Sequence, residues 1–197
     1  MAGPHENLEH AEHAEHAAHT NKKIALLIAV LALFLAFSET LGKSAQTSAI
    51  TYNVASNDLW AFFQAKTIRM TVVRTAAERT QLEADRVTDA DAKARLSKAV
   101  ETWKKTVERY DDEPATNEGR KQLAERAKEA EHHRDEALAR YHQFEFASAA
   151  FQIGIVLASA AVITGIMALT WLSGLVGLGG LGFMALGLWA PHALHLG

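Results

Sequence analysis

Residues 146–197 read FASAAFQIGIVLASAAVITGIMALTWLSGLVGLGGLGFMALGLWAPHALHLG, without a single Lys, Arg, Asp or Glu. A helix needs about 20 apolar residues to cross the hydrocarbon core of a bilayer, and this stretch holds enough for two. Residues 147–172 supply one uncharged span with length to spare for tilt. Ser173-Gly174 reads as a short turn, and residues 175–194 form a further span broken late by Pro191. Working outward, the apolar run 24–37 is short for a span, but extension through Ser38-Glu39-Thr40-Leu41-Gly42 gives a first one over 24–42, with Glu39 near one interface. All but two of the 20 Lys and Arg residues fall between Lys43 and Arg140. That segregation suits two solvents, lipid and water, better than one globular core. The expected fold is all-α: an integral membrane protein with three transmembrane helices, a polar tail over 1–23, and an extramembrane helical, coiled-coil hairpin over 43–146. A cleavable signal peptide ending near Ala36 or Ser38 is the competing reading of the first apolar run. The long acidic leader argues against it, because signal n-regions are short and positive.

The hairpin has its own signature. Leu96, Val100, Trp103, Val107 and Tyr110 follow the 4-3-4-3 spacing of a coiled-coil seam. After Asp111-Asp112-Glu113-Pro114 the spacing resumes at Leu123, Ala127, Ala130, Arg134, Ala137, Tyr141 and Phe144. Large residues dominate the first seam and alanines the second, which predicts a close antiparallel pair. Pro114 and Gly119 mark the reversal, and Thr88 followed by Asp91 resembles a helix start. As one straight helix, residues 44–110 would reach roughly 100 Å, while 119–148 return only about 45 Å. The outgoing path therefore has to break, and three helices near 57–86, 89–110 and 116–146 are expected. Residues 44–65 carry one charge, Asp58, and turn aromatic at Leu59-Trp60-Ala61-Phe62-Phe63. They read either as an interfacial segment with Trp60 at headgroup level or, with slight preference, as a helix whose aromatics pack on the hairpin.

Candidate chemistry is sparse. The chain has no cysteine, which excludes disulfides, thiolate nucleophiles and Cys-type zinc sites. It also lacks a phosphate-binding loop, a nucleophile elbow, a zinc-protease helix motif and a dinucleotide fingerprint, so a non-enzyme is expected. Between Lys43 and Glu145 there are as many basic as acidic residues, and such a neutral surface excludes a nucleic-acid partner. Gly154, Ala158, Ala161, Gly165 and Ala168 repeat at 4-3-4-3 down the second span, and Gly174, Gly177, Gly180 and Gly187 down the third. Small residues let helices approach closely in lipid, within one chain or between copies; both readings stay open. Glu39 is the one acid near a span, a candidate for an ion pathway, although its place one turn from the aqueous end favours an interfacial role. The tail NLEHAEHAEHAAH brings His10, His13, His16 and His19 together with glutamates. Imidazoles there could hold a divalent metal, although a three-residue spacing turns successive side chains by about 60° on a helix, so two of them and a Glu are the most one ion could take. No cofactor is required elsewhere.

The tail repeat, the Lys-flanked apolar span and Asn57-Asp58-Leu59-Trp60-Ala61-Phe62-Phe63-Gln64-Ala65-Lys66 together resemble an uncharacterised family of bacterial membrane proteins, domain of unknown function 4337. The resemblance implies a bacterial source and an inner-membrane location, and it brings no activity, substrate or catalytic residue. Lys22 and Lys23 abut the first span and favour a cytoplasmic N-terminus with the hairpin in the periplasm, the orientation expected here, while Lys43, Arg134 and Arg140 on the hairpin side and the uncharged turn at Ser173-Gly174 favour the reverse. Three functional readings follow. The first is a non-enzymatic, self-associating scaffold or docking protein, a homo-oligomer in the bilayer. The second is a channel or transporter component responding to metal or pH. The third is an accessory subunit with an unidentified membrane-protein partner.

Overall fold

The computed structural model describes the backbone of residues 4–193 and the side chains of residues 22–193. Four helices account for nearly all of it: α1 (Pro4–Arg86), α2 (Ala90–Asp111), α3 (Arg120–Thr164) and α4 (Met167–Trp189). No strand occurs among the described residues. The chain is all-α, and α1, α3 and α4 are each long and apolar enough to cross a membrane. Two compact units divide it. One ends at Ser48 and resumes at Glu136; the other is Ala49–Asp135. They are called the apolar and the charged unit below.

The helix boundaries follow local chemistry. Between Pro4 and Arg86 there is no proline and only one glycine, Gly42, so nothing stops α1 at the expected end of the first span. Two of its threonines turn back on their own helix: Thr40 Oγ1 donates to Ala36 O at 2.8 Å and Thr47 Oγ1 to Lys43 O at 2.9 Å. The break comes at residues 87–89. There Asp89 caps α2, its carboxylate accepting from the Ala92 N–H at 2.7 Å. Asp91 in the first turn and Arg109 in the last complement the helix dipole. Pro114 then prevents continuation, and Asn117 takes a left-handed φ of 59° in the turn before α3.

Two span boundaries differ from expectation. The helix expected to end at 146 and restart as a span over 147–172 is one helix, Arg120–Thr164, and the next is Met167–Trp189 rather than 175–194. The reversal sits at Gly165, whose φ of +71° only glycine adopts readily, and not at Ser173-Gly174. Ser173 lies inside α4, where its hydroxyl donates to Gly154 O at 2.7 Å. A serine that reads as a turn former in water here satisfies itself against a neighbouring helix.

In the apolar unit, α1 buries Ile24, Leu31, Ser38 and Ala45, spaced by sevens, and Gly42 between the last two. Leu31 joins Ala147 and Phe151 of α3, and Ile24 joins Ala158 and Ala161. The outward residues are themselves large and apolar, among them Leu26, Val30, Leu33, Ile153, Val156, Leu175 and Leu178. A surface of this kind is compatible with a lipid surround. In the charged unit Ala49, Ser56, Met70, Ala77 and Ala84 are buried on α1 on a period of seven that the partly buried Phe63 completes, and Lys66 is buried beside the row. A seven-residue repeat held this long favours a left-handed supercoil.

Candidate functional site

Segment 57–66 of α1 lays Phe63 and Lys66 against the corner where α2 turns into α3, with Phe62 beside Lys66 and Trp60 reaching further along α3. Lys66 is the centre of the group. Its Nζ donates to Glu113 Oε2 at 3.3 Å, with the two side chains only 7% and 18% exposed. The same ammonium stands 5.3 Å from the centroid of the Tyr110 ring and 5.6 Å from that of Phe62, within cation–π range. Arg109 Nε approaches Glu113 from the other side at 3.7 Å. Next to it, the Arg120 guanidinium lies 4.9 Å from the Phe63 ring and donates to Asp111 Oδ1 at 3.1 Å. Its Nε is buried without a partner. Trp60 completes the set, its Nε1 donating to Glu131 Oε1 at 2.9 Å. These aromatics pack on the charged unit, as the second reading of residues 44–65 has it.

The turn that follows is laced separately. Gln122 Oε1 accepts from the Glu113 N–H at 3.1 Å, while its Nε2 donates to Asp112 Oδ1 at 2.6 Å. Lys121 Nζ reaches Asp112 Oδ2 at 3.2 Å. The Gln122 amide first, and then the Lys121 ammonium, hold the Asp112 carboxyl below the usual carboxylate range, and the same carboxylate raises Lys121. A Cβ on Gly119 would collide with Gln122 Oε1 and the Glu113 nitrogen, so glycine is required where the turn closes. Chemically this assembly holds three helices in one register. A buried ion pair is costly to desolvate, and its best-attested use is to specify one arrangement over others.

Of the seam residues, Val100, Leu123, Ala127, Ala130 and Ala137 are buried. Leu96, Trp103, Val107, Tyr110, Arg134 and Tyr141 are partly buried.

In the apolar unit the small residues face other helices of the same chain. A Cβ added to Gly180 would come within 2.8 Å of the Phe151 ring, and one on Gly187 within 2.9 Å of Phe144. At Gly177 and Gly154 it would meet Leu31 at 2.6 and 3.1 Å. Ala158 and Ala161 are buried against Ile24. The rest of the two stripes goes elsewhere: Gly165 forms the turn, Ala168 is exposed, and Gly174 has open space beside it. Glu39 is exposed and accepts from Gln152 Nε2 at 3.4 Å. Its neighbour Ser38, buried, donates to Phe144 O at 2.9 Å. His10, His13, His16 and His19 lie outside the described side chains. His132 and His133 are exposed, with His133 stacked on Tyr52 at 5.1 Å.

One face of α1 in the charged unit remains uncovered. Val54, Ala61, Ile68, Thr75 and Leu82 recur every seven residues and are all exposed. Val72 stands beside this row and is 63% exposed. The row is hard to read from sequence because it mixes Val, Ala, Ile, Thr and Leu, and its only signal is their spacing by sevens.

No curated protein and no solved structure matches the chain. A family model does, across residues 20–190. Helices α2, α3 and α4, α1 from residue 20 onward and the Lys66 corner fall inside that match, and the chain belongs to the family described as Domain of unknown function (DUF4337).

Proposed function

We propose that this is a non-catalytic, self-associating protein of a bacterial inner membrane, in which the apolar helices anchor the chain and the charged unit serves as a scaffold or docking surface. The carrying observation is the uncovered row Val54–Ala61–Ile68–Thr75–Leu82 on α1. Its period of seven suits another helix of the same kind, since knobs-into-holes packing needs that repeat on both partners. The small-residue stripes supply no comparable surface, because most of their members are engaged within the chain. With the N-terminus held in the cytoplasm by Lys22 and Lys23, the charged unit lies in the periplasm.

The absence of cysteine allows a clean test. In membranes, Ile68→Cys should form an intermolecular disulfide on mild oxidation, whereas Lys105→Cys, on exposed α2 surface, should not. Native mass spectrometry of the gently extracted wild type should show a closed homo-oligomer. A monomer, or equal cross-linking at both positions, would overturn the proposal.

A further inference from the structure

Lys23 and the start of α4 border a groove of about 930 Å³ in the apolar unit. Its walls are apolar, formed chiefly by Ile24, Leu27, Trp171, Leu175 and Leu178. We propose that this groove binds one acyl chain of an anionic phospholipid, whose phosphate sits at Lys23. The proposal rests on reading the three apolar helices as membrane spans, and is independent of self-association.

Three observations lead to that occupant. The walls belong to helices apolar enough to cross a membrane, where the molecules at hand are lipids. Lys22 and Lys23 at the mouth are exposed, and among the described residues neither is paired with a carboxylate. No Asp or Glu occurs in residues 22–38 or 146–193, so the helices that form the groove bring no acid to it; Glu6, Glu9, Glu12 and Glu15 of the preceding tail lie outside the described side chains. Third, α4 begins beside the groove with no side-chain cap, which leaves the positive end of its dipole facing the same mouth. Trp171, 79% exposed beside these groups, suits the headgroup level.

The full chain would be reconstituted in vesicles of equal phosphatidylglycerol and phosphatidylcholine, washed with carbonate, gently extracted, and its retained lipids weighed by native mass spectrometry. Wild type should keep phosphatidylglycerol in preference to phosphatidylcholine. Lys23→Gln should lower that preference about fivefold, and Lys43→Gln, at the other end of the same span, should leave it unchanged. Gly174→Leu, a substitution into open space on the groove wall, should remove both lipids while circular dichroism stays that of wild type. Equal retention of the two lipids, or an unaltered preference in Lys23→Gln, overturns the proposal while the membrane reading stands. Release of the protein by carbonate overturns the membrane reading and the groove with it.

Discussion

The two units repeat one device in opposite materials. Each buries a row of α1 residues spaced by sevens, but the apolar unit fills the gap with glycine against large rings, and the charged unit fills it with alanine, serine and an ion pair. Outside, the order inverts. Leucine, isoleucine and valine cover the apolar unit, whereas Lys, Arg, Asp and Glu dominate the other. Where the exterior is as apolar as the interior, burying hydrocarbon gives little preference for helix contact, so close approach and hydroxyl–carbonyl bonds must supply it. Where the exterior is water, small alanines suffice to bring helices together, and specificity falls to Lys66 and Glu113.

That contrast can be broken most forcefully at Gly180. Leucine there meets the Phe151 ring and should destabilise the apolar unit by about 3 kcal/mol, the upper end for an overpacked core. The same change at Gly179, which has open space, should stay within about 0.5 kcal/mol. Thermal unfolding in detergent would read both, and equal effects would remove close approach as the organising contact. In the charged unit, Lys66→Met should cost about 2 kcal/mol, less than the roughly 3–5 of a wholly buried broken pair because Arg109 still faces Glu113. Lys66→Met with Glu113→Leu should recover most of the loss. Hydrogen exchange of peptides within 49–135 measures this directly, and a double variant as unstable as the single one would show that the pair contributes more than register. The smallest effect is expected at Asp112. Its carboxyl is held below the ordinary range, so its contribution is complete above the unfolded value and fades as pH falls through the folded one. Exchange in the turn 112–119 should therefore quicken only below about pH 4, and Asp112→Asn should remove that dependence.

Much of this fold was legible in the sequence. The absence of charge after residue 146 announced the apolar helices, and Thr88 with Asp91, Pro114 and Gly119 announced the breaks between α1, α2 and α3, although the cap itself is Asp89, one residue beyond Thr88; caps and turn residues act locally. Positions whose meaning depends on distant partners were illegible. Lys66 and Glu113 are 47 residues apart, and Ser38 and Phe144 are 106 apart; no periodicity links them. Gly165 and Ser173 exchanged roles for a related reason. Both residue types suit turns in water, and only the neighbouring Gly154 carbonyl decides that Ser173 belongs in a helix.

The bond from Ser38 to the Phe144 carbonyl also sets a timetable for biosynthesis. The ribosome must add 106 residues between the donor and its acceptor, which takes roughly 5–20 s at ordinary elongation rates. Throughout that interval the first apolar segment has none of its α3 or α4 partners, and Gly177, Gly180 and Gly187 do not yet exist to receive Leu31 and the two phenylalanines. The first apolar segment is therefore made as a lone helix, without its packing partners, and acquires them only as translation nears its end.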